Sequence, residues 1–336
     1  MSNLYVISGM TGMTGNELAR QLLLRGDTVI GFDNFFCSSE ETIADLRKSD
    51  ALRFFPYDLT DVEQMRKIAD LVREKRHSHE KLVYINCAAV VHTEYFYHVN
   101  ATFDTNVVGM KTFLEQAIDQ QADSYINCST SEVYSMHSYR EGGMREDDFL
   151  EMATAAHSQR TSYATGKLLT EFFMKDAVDE GRIRGCSIRF ANVYSKNELH
   201  AKHILPHIIK SLMENGEVTL LDNSRINRRT FLHNNDSCAA VLRLADTESA
   251  LDGSIYNVAT EEELSIVDLV HLCADKLGIS DPRIHFEGHR DSDPERRVLN
   301  TDKIRERTGW KPSITLSEGI DGIIAYRRSH PEEVGV

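Results

Sequence analysis

Short apolar runs alternate with stretches of helical periodicity through the first two hundred residues. The run Leu4-Tyr5-Val6-Ile7-Ser8-Gly9 reads as a buried strand, and in 15–26 Leu18, Ala19, Leu22 and Leu23 share one helical face. Residues 28–33 and 52–59 read as strands, and 62–76 as a helix. A strand at 81–89 precedes a helix near 101–120. A strand at 124–130 runs into a long loop, a helix over 162–180 and a strand at 185–194. Strands that are apolar throughout, alternating with helices, predict a parallel sheet covered on both faces. Ligands of such sheets sit at the carboxyl ends of the strands. Beyond about residue 195 the alternation loosens to a helix near 203–214, a short strand at 218–222 and a helix over 265–277, for which Ser265 and Asp268 form a capping pair. This half is expected to pack as a smaller lobe over the ligand edge, with a frayed tail at 327–336.

Composition narrows the classes. A chain of 336 residues, 41% hydrophobic, can bury a large core in one big domain or two intimate ones. Its net charge of −14 repels nucleic acid and anionic membranes, so neither is expected as a partner, and an anionic ligand needs a local basic patch. No run approaches the length of a membrane span. The first residues enter a strand with no basic n-region or cleavage site. The six cysteines include no CxxC, and Cys87, Cys128 and Cys186 lie in apolar strands. They read as buried reduced thiols of a cytoplasmic protein. His203/His207 and His285/His289 have the i,i+4 spacing of a zinc pair, but no third ligand or HExxH accompanies them, so no metal is expected.

Candidate chemistry gathers where strands end. Gly9, Gly12 and Gly15 lie between the first strand and the first helix, spaced GxxGxxG. Glycines there let the turn tighten, the backbone approach a pyrophosphate, and the helix N-terminus face the phosphate; an ordinary tight turn is the plain alternative. Asp33 ends the second strand, 18 residues past Gly15. A carboxylate there bonds ribose hydroxyls and repels a 2′-phosphate, which favours NAD over NADP, although Asp-Asn is also turn chemistry. The fifth strand runs into Ser129, Thr130, Ser131 and Glu132, which serve either local turns or proton transfer. Tyr163 and Lys167 form an i,i+4 pair on one helical face. A nearby ammonium lowers a tyrosine's pKa and makes it a usable base toward a sugar hydroxyl. No GxxxxGK[ST] is present, which argues against a nucleoside triphosphatase.

With these motifs the sequence resembles the extended short-chain dehydrogenase/reductases that modify nucleotide sugars, an NAD-dependent epimerase/dehydratase family. The resemblance covers nearly the whole chain: "ISGMTGMTG", "YDLTD" (57–61), "INCAAVVH" (85–92), "NVVGMKTFLEQA" (106–117), "STSEVY", "SYATGK" and "RFANVY", then "RRTFLHNND" and "RVLNTDKIRERTGWKP". It implies a Rossmann-type doubly wound parallel sheet in 1–195, carrying cofactor and catalytic residues. A smaller C-terminal α/β lobe for the nucleotide sugar follows in 196–330, with the chain interleaving between the two. It implies NAD contacts from Gly9, Gly12, Met13, Thr14, Gly15, Asp33, Asn34, Asp58, Leu59, Ala88, Ala89, Asn106, Tyr163 and Lys167, with Asp58 on the adenine. Thr130 would bond the sugar hydroxyl being oxidised, Tyr163 would act as base and Lys167 would orient it. Asn192 and Arg229 would bind substrate. The helices near 101–120 and 163–180 would pair in a homodimer. The sequence departs from the family at Ser135 and Ser195, where glycines are usual, and at Thr230, where an acidic residue is common.

Glu132 bears on the reaction. Simple 4-epimerases usually carry a small residue there, because oxidising C4, turning the keto sugar and reducing it again needs no carboxylate. The 4,6-dehydratases commonly read S-T-D-E, and UDP-glucuronate decarboxylases read S-T-S-E, as this chain does. GDP-mannose dehydratases also read S-T-S-E, but favour NADP. The stretch "LLDNSRINRRTF" also looks like the bacterial lipid-A-pathway decarboxylase. In decarboxylases an arginine in the segment corresponding to "DPERRVL" (293–299) approaches the sugar carboxylate, and Arg296 is the candidate; dehydratases keep arginines there for the diphosphate. UDP-glucuronate oxidative decarboxylation, with Ser131 and Glu132 managing the proton at C5, is therefore the first expectation. A 4,6-dehydratase, a 4-epimerase and a non-enzymatic NAD-binding sensor are the alternatives. Arg189, Arg225, Arg228, Arg229, Arg290, Arg296 and Arg297 are candidates for a basic lining.

Overall fold

The computed structural model describes residues 2–91, 93–136, 141–159, 161–196, 198, 203–290 and 293–331; positions 332–336 of the tail read as frayed lie outside them. Seven strands form the main sheet: β1 (Leu4–Ser8), β2 (Thr28–Phe32), β3 (Leu52–Phe55), β4 (Leu82–Asn86), β5 (Ser124–Thr130), β6 (Gly185–Phe190) and β7 (Asp252–Val258). They lie in the order β7-β6-β5-β4-β1-β2-β3, all parallel. β1 and β4 are buried at every position, which is why they show no polar alternation. Strand order reverses beside β1, which pairs with β2 on one side and β4 on the other. A crevice opens at such a point, at the strands' carboxyl ends.

The helices are α1 (Met13–Leu24), α2 (Val62–Arg76), α3 (Val99–Phe103), α4 (Met110–Asp119), α5 (Thr161–Asp179), α6 (Ile204–Asn215), α7 (Asn234–Asp246), α8 (Ile266–Leu277), α9 (Asp302–Thr308) and α10 (Leu316–Ser329). On one face of the sheet Leu18 and Leu22 of α1 and Val241 and Leu244 of α7 pack on Tyr5 and Ile7. On the other, Ile68 of α2, Phe113 of α4 and Met174 of α5 pack on Val6, Tyr84 and Tyr125. A separate core, with Ile208, Leu269 and Ile320, joins α6, α8 and α10. Ser265 caps α8 by accepting from Asp268 N at 2.9 Å, as the sequence predicts. No described helix is long and apolar enough to cross a membrane.

Three elements depart from the hydrophobic pattern for local reasons. The third strand ends at Phe55, because Pro56 has no N–H to continue the ladder. The run 185–194 is divided into β6 and a separate strand Val193–Tyr194, with Asn192 between them at φ 34°. The helix near 101–120 contains a π-helical turn, Asp104–Gly109, between α3 and α4.

Asn257 near the end of β7 holds the loop that follows the β5 cluster. Its Nδ2 donates to Met144 O at 2.9 Å and Asn300 O at 3.1 Å, and its Oδ1 accepts from Tyr134 Oη at 2.9 Å. Asn257→Ala strands these buried partners and is expected to destabilise the fold by about 3 kcal/mol. The check is a lower urea midpoint with an unchanged m value.

Candidate active site

The crevice is shaped first by what it lacks. Gly9 has φ 67°, and a Cβ there would stand 2.6 Å from Ala88 N; a Cβ on Gly15 would collide with Gly9 O. The loop backbone therefore lies directly on the exit of β4. Gly12 is the N-cap of α1, no side chain caps the helix, and its first turn has no acidic residue. The N–H groups of Met13, Thr14 and Gly15 thus open a helix N-terminus suited to an anion. Ser8 Oγ donates to Asn86 Oδ1 at 2.7 Å and accepts from Ala88 N at 3.3 Å, fixing the turn that carries Ala88 and Ala89.

Acidic groups line the β2 side. Asp33 Oδ2 accepts from Thr11 N at 3.1 Å and its Oδ1 from Phe35 N at 2.9 Å, so the carboxylate braces the glycine loop. Asn34 Nδ2 donates to Asp58 Oδ2 at 2.8 Å, and Thr60 N and Oγ1 donate to Asp58 Oδ1 at 2.7 Å. Burial pushes the Asp58 carboxyl up, but these donors outweigh it and hold it below its ordinary value. Leu59 is buried, with its Cδ2 2.9 Å from where a Cβ on Gly109 would stand. Asn106 lies in the π-helical turn and clamps Val90, accepting from its N–H at 2.7 Å and donating to its C=O at 3.3 Å.

The candidate catalytic residues lie at the end of β5 and on α5. Thr130 is its last residue, and its Oγ1 accepts from Glu132 N at 3.2 Å; Ser131 is buried beside it. Tyr163 and Lys167 are buried on α5, which packs on β5. The Tyr163 ring stacks on Phe96, centroids 4.1 Å apart and planes 9° apart. Burial lowers the Lys167 pKa, while Cys128, Cys87 and Glu171 oppose it. Glu132 Oε1 accepts from Arg297 Nη1 at 2.5 Å. Arg297 is buried, its Nη2 donates to Ser135 O at 3.4 Å, and its Nε has no hydrogen-bond partner among the described residues. Ser135 stands at φ 45°, ψ −109°, a conformation suited to the glycine it replaces. Thr230, the other notable departure, is buried with no described hydrogen-bond partner for Oγ1.

Strand register separates the two neighbouring arginines. Strand Arg296–Arg297 pairs in parallel with Arg228–Thr230, setting Arg296 beside Arg228 and Arg297 beside Arg229. Neighbours along a strand face opposite sides. Arg296 binds Glu263 through Nε at 2.8 Å and Nη2 at 2.5 Å, with Arg228 3.5 Å from the same carboxylate. The opposite side carries Arg297 to Glu132. Arg229 lies there too, buried, with Asp293 at 3.0 Å and Glu295 O at 3.0 Å as acceptors. Burial lowers its pKa against the opposing pull of Asp293, and Arg297 and Glu132 act on it as well. Arg297 thus meets Glu132, whereas Arg296, the arginine singled out from the sequence, meets Glu263.

The other candidates separate. Asn192 Nδ2 donates to Thr230 O at 3.0 Å, bracing the two strands. Arg189 is no surface lining: it is buried and ion-paired with Glu171 at 2.7 Å. Arg225 stacks over Phe286 at 3.7 Å, and Arg290 meets Asn223 through its backbone. His207 bonds Thr219 O, and among the described residues no three His, Cys, Asp or Glu side chains gather as metal ligands. Sequence reasoning missed Phe96, which no spacing signals, and Glu171, whose position four residues past Lys167 does signal a shared helical face.

Glu263 is held below its ordinary carboxylate value chiefly by Arg296, with burial opposing and Arg228 adding. A depressed carboxylate contributes stability above its unfolded pKa of about 4.3, and that contribution is lost as pH falls through the folded value. Glu263→Gln should therefore lower the urea midpoint at pH 7, with the gap narrowing as pH falls below the unfolded value of about 4.3. A gap unchanged in acid would assign the loss to packing.

Comparison with known proteins follows the same architecture. The model of the family described as "NAD dependent epimerase/dehydratase family" matches residues 5–259. The low-salt glycan biosynthesis protein Agl12 of Haloferax volcanii is 25% identical over 327 residues, covering 96% of this chain and 97% of that protein. UDP-glucuronic acid decarboxylase 1 of Arabidopsis thaliana is 24% identical over 332 residues, covering 96% of this chain and 69% of that protein. Among solved structures, the dTDP-glucose 4,6-dehydratase DesIV of Streptomyces venezuelae, with NAD bound, superposes with a TM-score of 0.83 at 22% identity, covering 98% of each chain.

Proposed function

The chain belongs to the NAD dependent epimerase/dehydratase family, and on that premise we propose that it oxidises UDP-glucuronate at C4 and decarboxylates the resulting keto sugar. The observation that carries the assignment is the Glu132–Arg297 pair beside Thr130. Arginine presents five donors in a planar fork. Glu132 and Ser135 O take one N–H each from Nη1 and Nη2, which leaves the guanidinium with further donors for a substrate carboxylate. Ser131 stands where a dehydratase benefits from a stronger acid to protonate a departing hydroxyl.

The residues at the switch point fit a dinucleotide. Gly9 and Gly15 admit the backbone approach, the first turn of α1 offers free N–H groups to a pyrophosphate, and Asp33 and Asp58 suit the adenosine. NAD, when bound, supplies the acceptor for the hydride from sugar C4. Tyr163 takes the proton of the 4-hydroxyl, Lys167 favours its phenolate, and Thr130 holds the same oxygen. The 4-ketone makes the C5 carboxylate a β-keto acid. The C5–C6 bond breaks, CO₂ leaves, and its electron pair enters an enolate whose oxygen Thr130 and Tyr163 stabilise. Glu132 and Ser131 hold the sugar and manage the proton returned to C5. Asn192 and Arg229 belong to the substrate side, with Arg297 taking the role first given to Arg296. Dehydration is the second assignment, favoured by a carboxylate at position 132 able to take the C5 proton.

The six cysteines are all free, including Cys87 and Cys128 with sulfurs 3.8 Å apart, which supports a reducing, cytoplasmic setting. Phe103 of α3, Val108 of the π turn and Leu169 and Phe172 of α5 are exposed on elements in mutual contact. Their apolar surface supports a homodimer paired through these helices.

Incubation with UDP-glucuronate and NAD⁺ should release CO₂ and give a UDP-pentose or UDP-4-keto-pentose, identified by mass. Arg297→Met should lower kcat/KM about a hundredfold, the worth of a charge-assisted hydrogen bond. Loss of water from a UDP- or dTDP-hexose without CO₂ would move the assignment to dehydration, and no turnover with any nucleotide sugar would move it to a sensor. In sedimentation the protein should run as a dimer and Phe103→Asp/Phe172→Asp as a monomer; a monomeric wild type rejects the pairing.

A further inference from the structure

We propose that Glu171 is a positioning residue of the reaction centre: it joins the helix that carries Tyr163 and Lys167 to the strand that ends in Thr130, and it sets a negative charge against Lys167. This rests on the roles proposed above for those three residues. Tyr163, Lys167 and Glu171 recur every four residues along α5 and so share one face. Glu171 Oε1 accepts from Ser129 Oγ at 2.6 Å and from Arg189 Nε at 3.0 Å, and its Oε2 accepts from Arg189 Nη2 at 2.7 Å. Ser129 directly precedes Thr130, and sheet register sets Ser129 against Arg189 on β6. One carboxylate therefore ties α5 to β5 and β6 immediately behind the reacting groups. Ser129, Glu171 and Arg189 are all at least 95% buried.

Stability alone does not account for such a pair. Desolvation largely cancels the attraction of a buried ion pair, and well-packed apolar residues often do as well. Its location supplies the other account. Lys167 is buried, with Cys87 just past β4 and Cys128 of β5 acting on it, and the ion-paired Glu171 on its own helix. Burial lowers the Lys167 pKa and Glu171 opposes that. The hydrogen bond with Cys128 and then burial push the Cys87 thiol up, so it is no competing anion at neutral pH. Arg189 lies 4.9 Å from the centre of the Tyr134 ring, donates to Glu146 O at 3.3 Å, and feels the Glu146 carboxyl, itself raised by burial. These contacts hold Arg189 on the far side of Glu171.

The test replaces both charges at once, because removing one partner alone leaves a buried charge. In Glu171→Gln/Arg189→Gln protein labelled with [ε-13C]lysine, the Lys167 resonance, assigned with Lys167→Arg, is titrated by NMR. Its pKa should fall by about half a unit or more, and with turning-over substrate kcat should drop about tenfold at unchanged KM. The titration needs no substrate, so absence of turnover in the wild type would count against the proposed reaction and not against Glu171. A folded double variant with wild-type Lys167 titration and wild-type kcat overturns the proposal and leaves a purely structural pair. If the double variant does not fold, Ser129→Ala decides, since it cuts only the tie to β5. A displaced Lys167 titration curve supports the proposal, and a superimposable one overturns it.

Discussion

Everything in this molecule depends on the parallel pairing of β1 with both β2 and β4. Parallel strands in register finish at one edge, so every loop that leaves them emerges on the same side. Three unrelated stretches of chain thereby meet within a few ångströms: the glycine loop after Ser8, the acidic turn after Phe32 and the alanine turn after Asn86. The approach is close enough that the backbone at Gly9 and Gly15 has no room for a Cβ. A side chain at either position would push the loop off β4 and separate the groups that line the crevice.

Features set by local chemistry were legible in the sequence. The glycine spacing, Asp33 at a strand end, the Tyr163–Lys167 pair and the Ser265 cap each depend on neighbours in the chain, and the structure has them on the expected elements. Features set by pairing between distant strands were not. Arg296 and Arg297 are chemically equivalent in a sequence; only the register against Arg228 and Arg229 assigns one to Glu263 and the other to Glu132. A shift of one residue exchanges the two faces. The π-helical turn around Asn106 and the bend at Asn192 escaped for a related reason, since a hydrophobic pattern does not register one added residue or one positive φ. Arg189 was misplaced because a cation deep in a sheet has no sequence signature apart from its partner, and Glu171 lies on another element.

The C-terminal part of the chain shows how a strongly acidic chain presents cations. Arg229, Arg296 and Arg297 are each met by a carboxylate, from Asp293, Glu263 and Glu132 respectively. Partial neutralisation lets these guanidinium groups stand close together. Around Glu132, paired charges thus stand beside an Arg297 Nε with no described hydrogen-bond partner, a combination expensive in a stable core.

Phe96 lies flat against Tyr163. A ring held face to face with another can slide in its own plane far more easily than it can flip or tilt. The phenol oxygen is thus confined to a shallow arc, and much of the disorder such a side chain would otherwise carry has already been removed by folding.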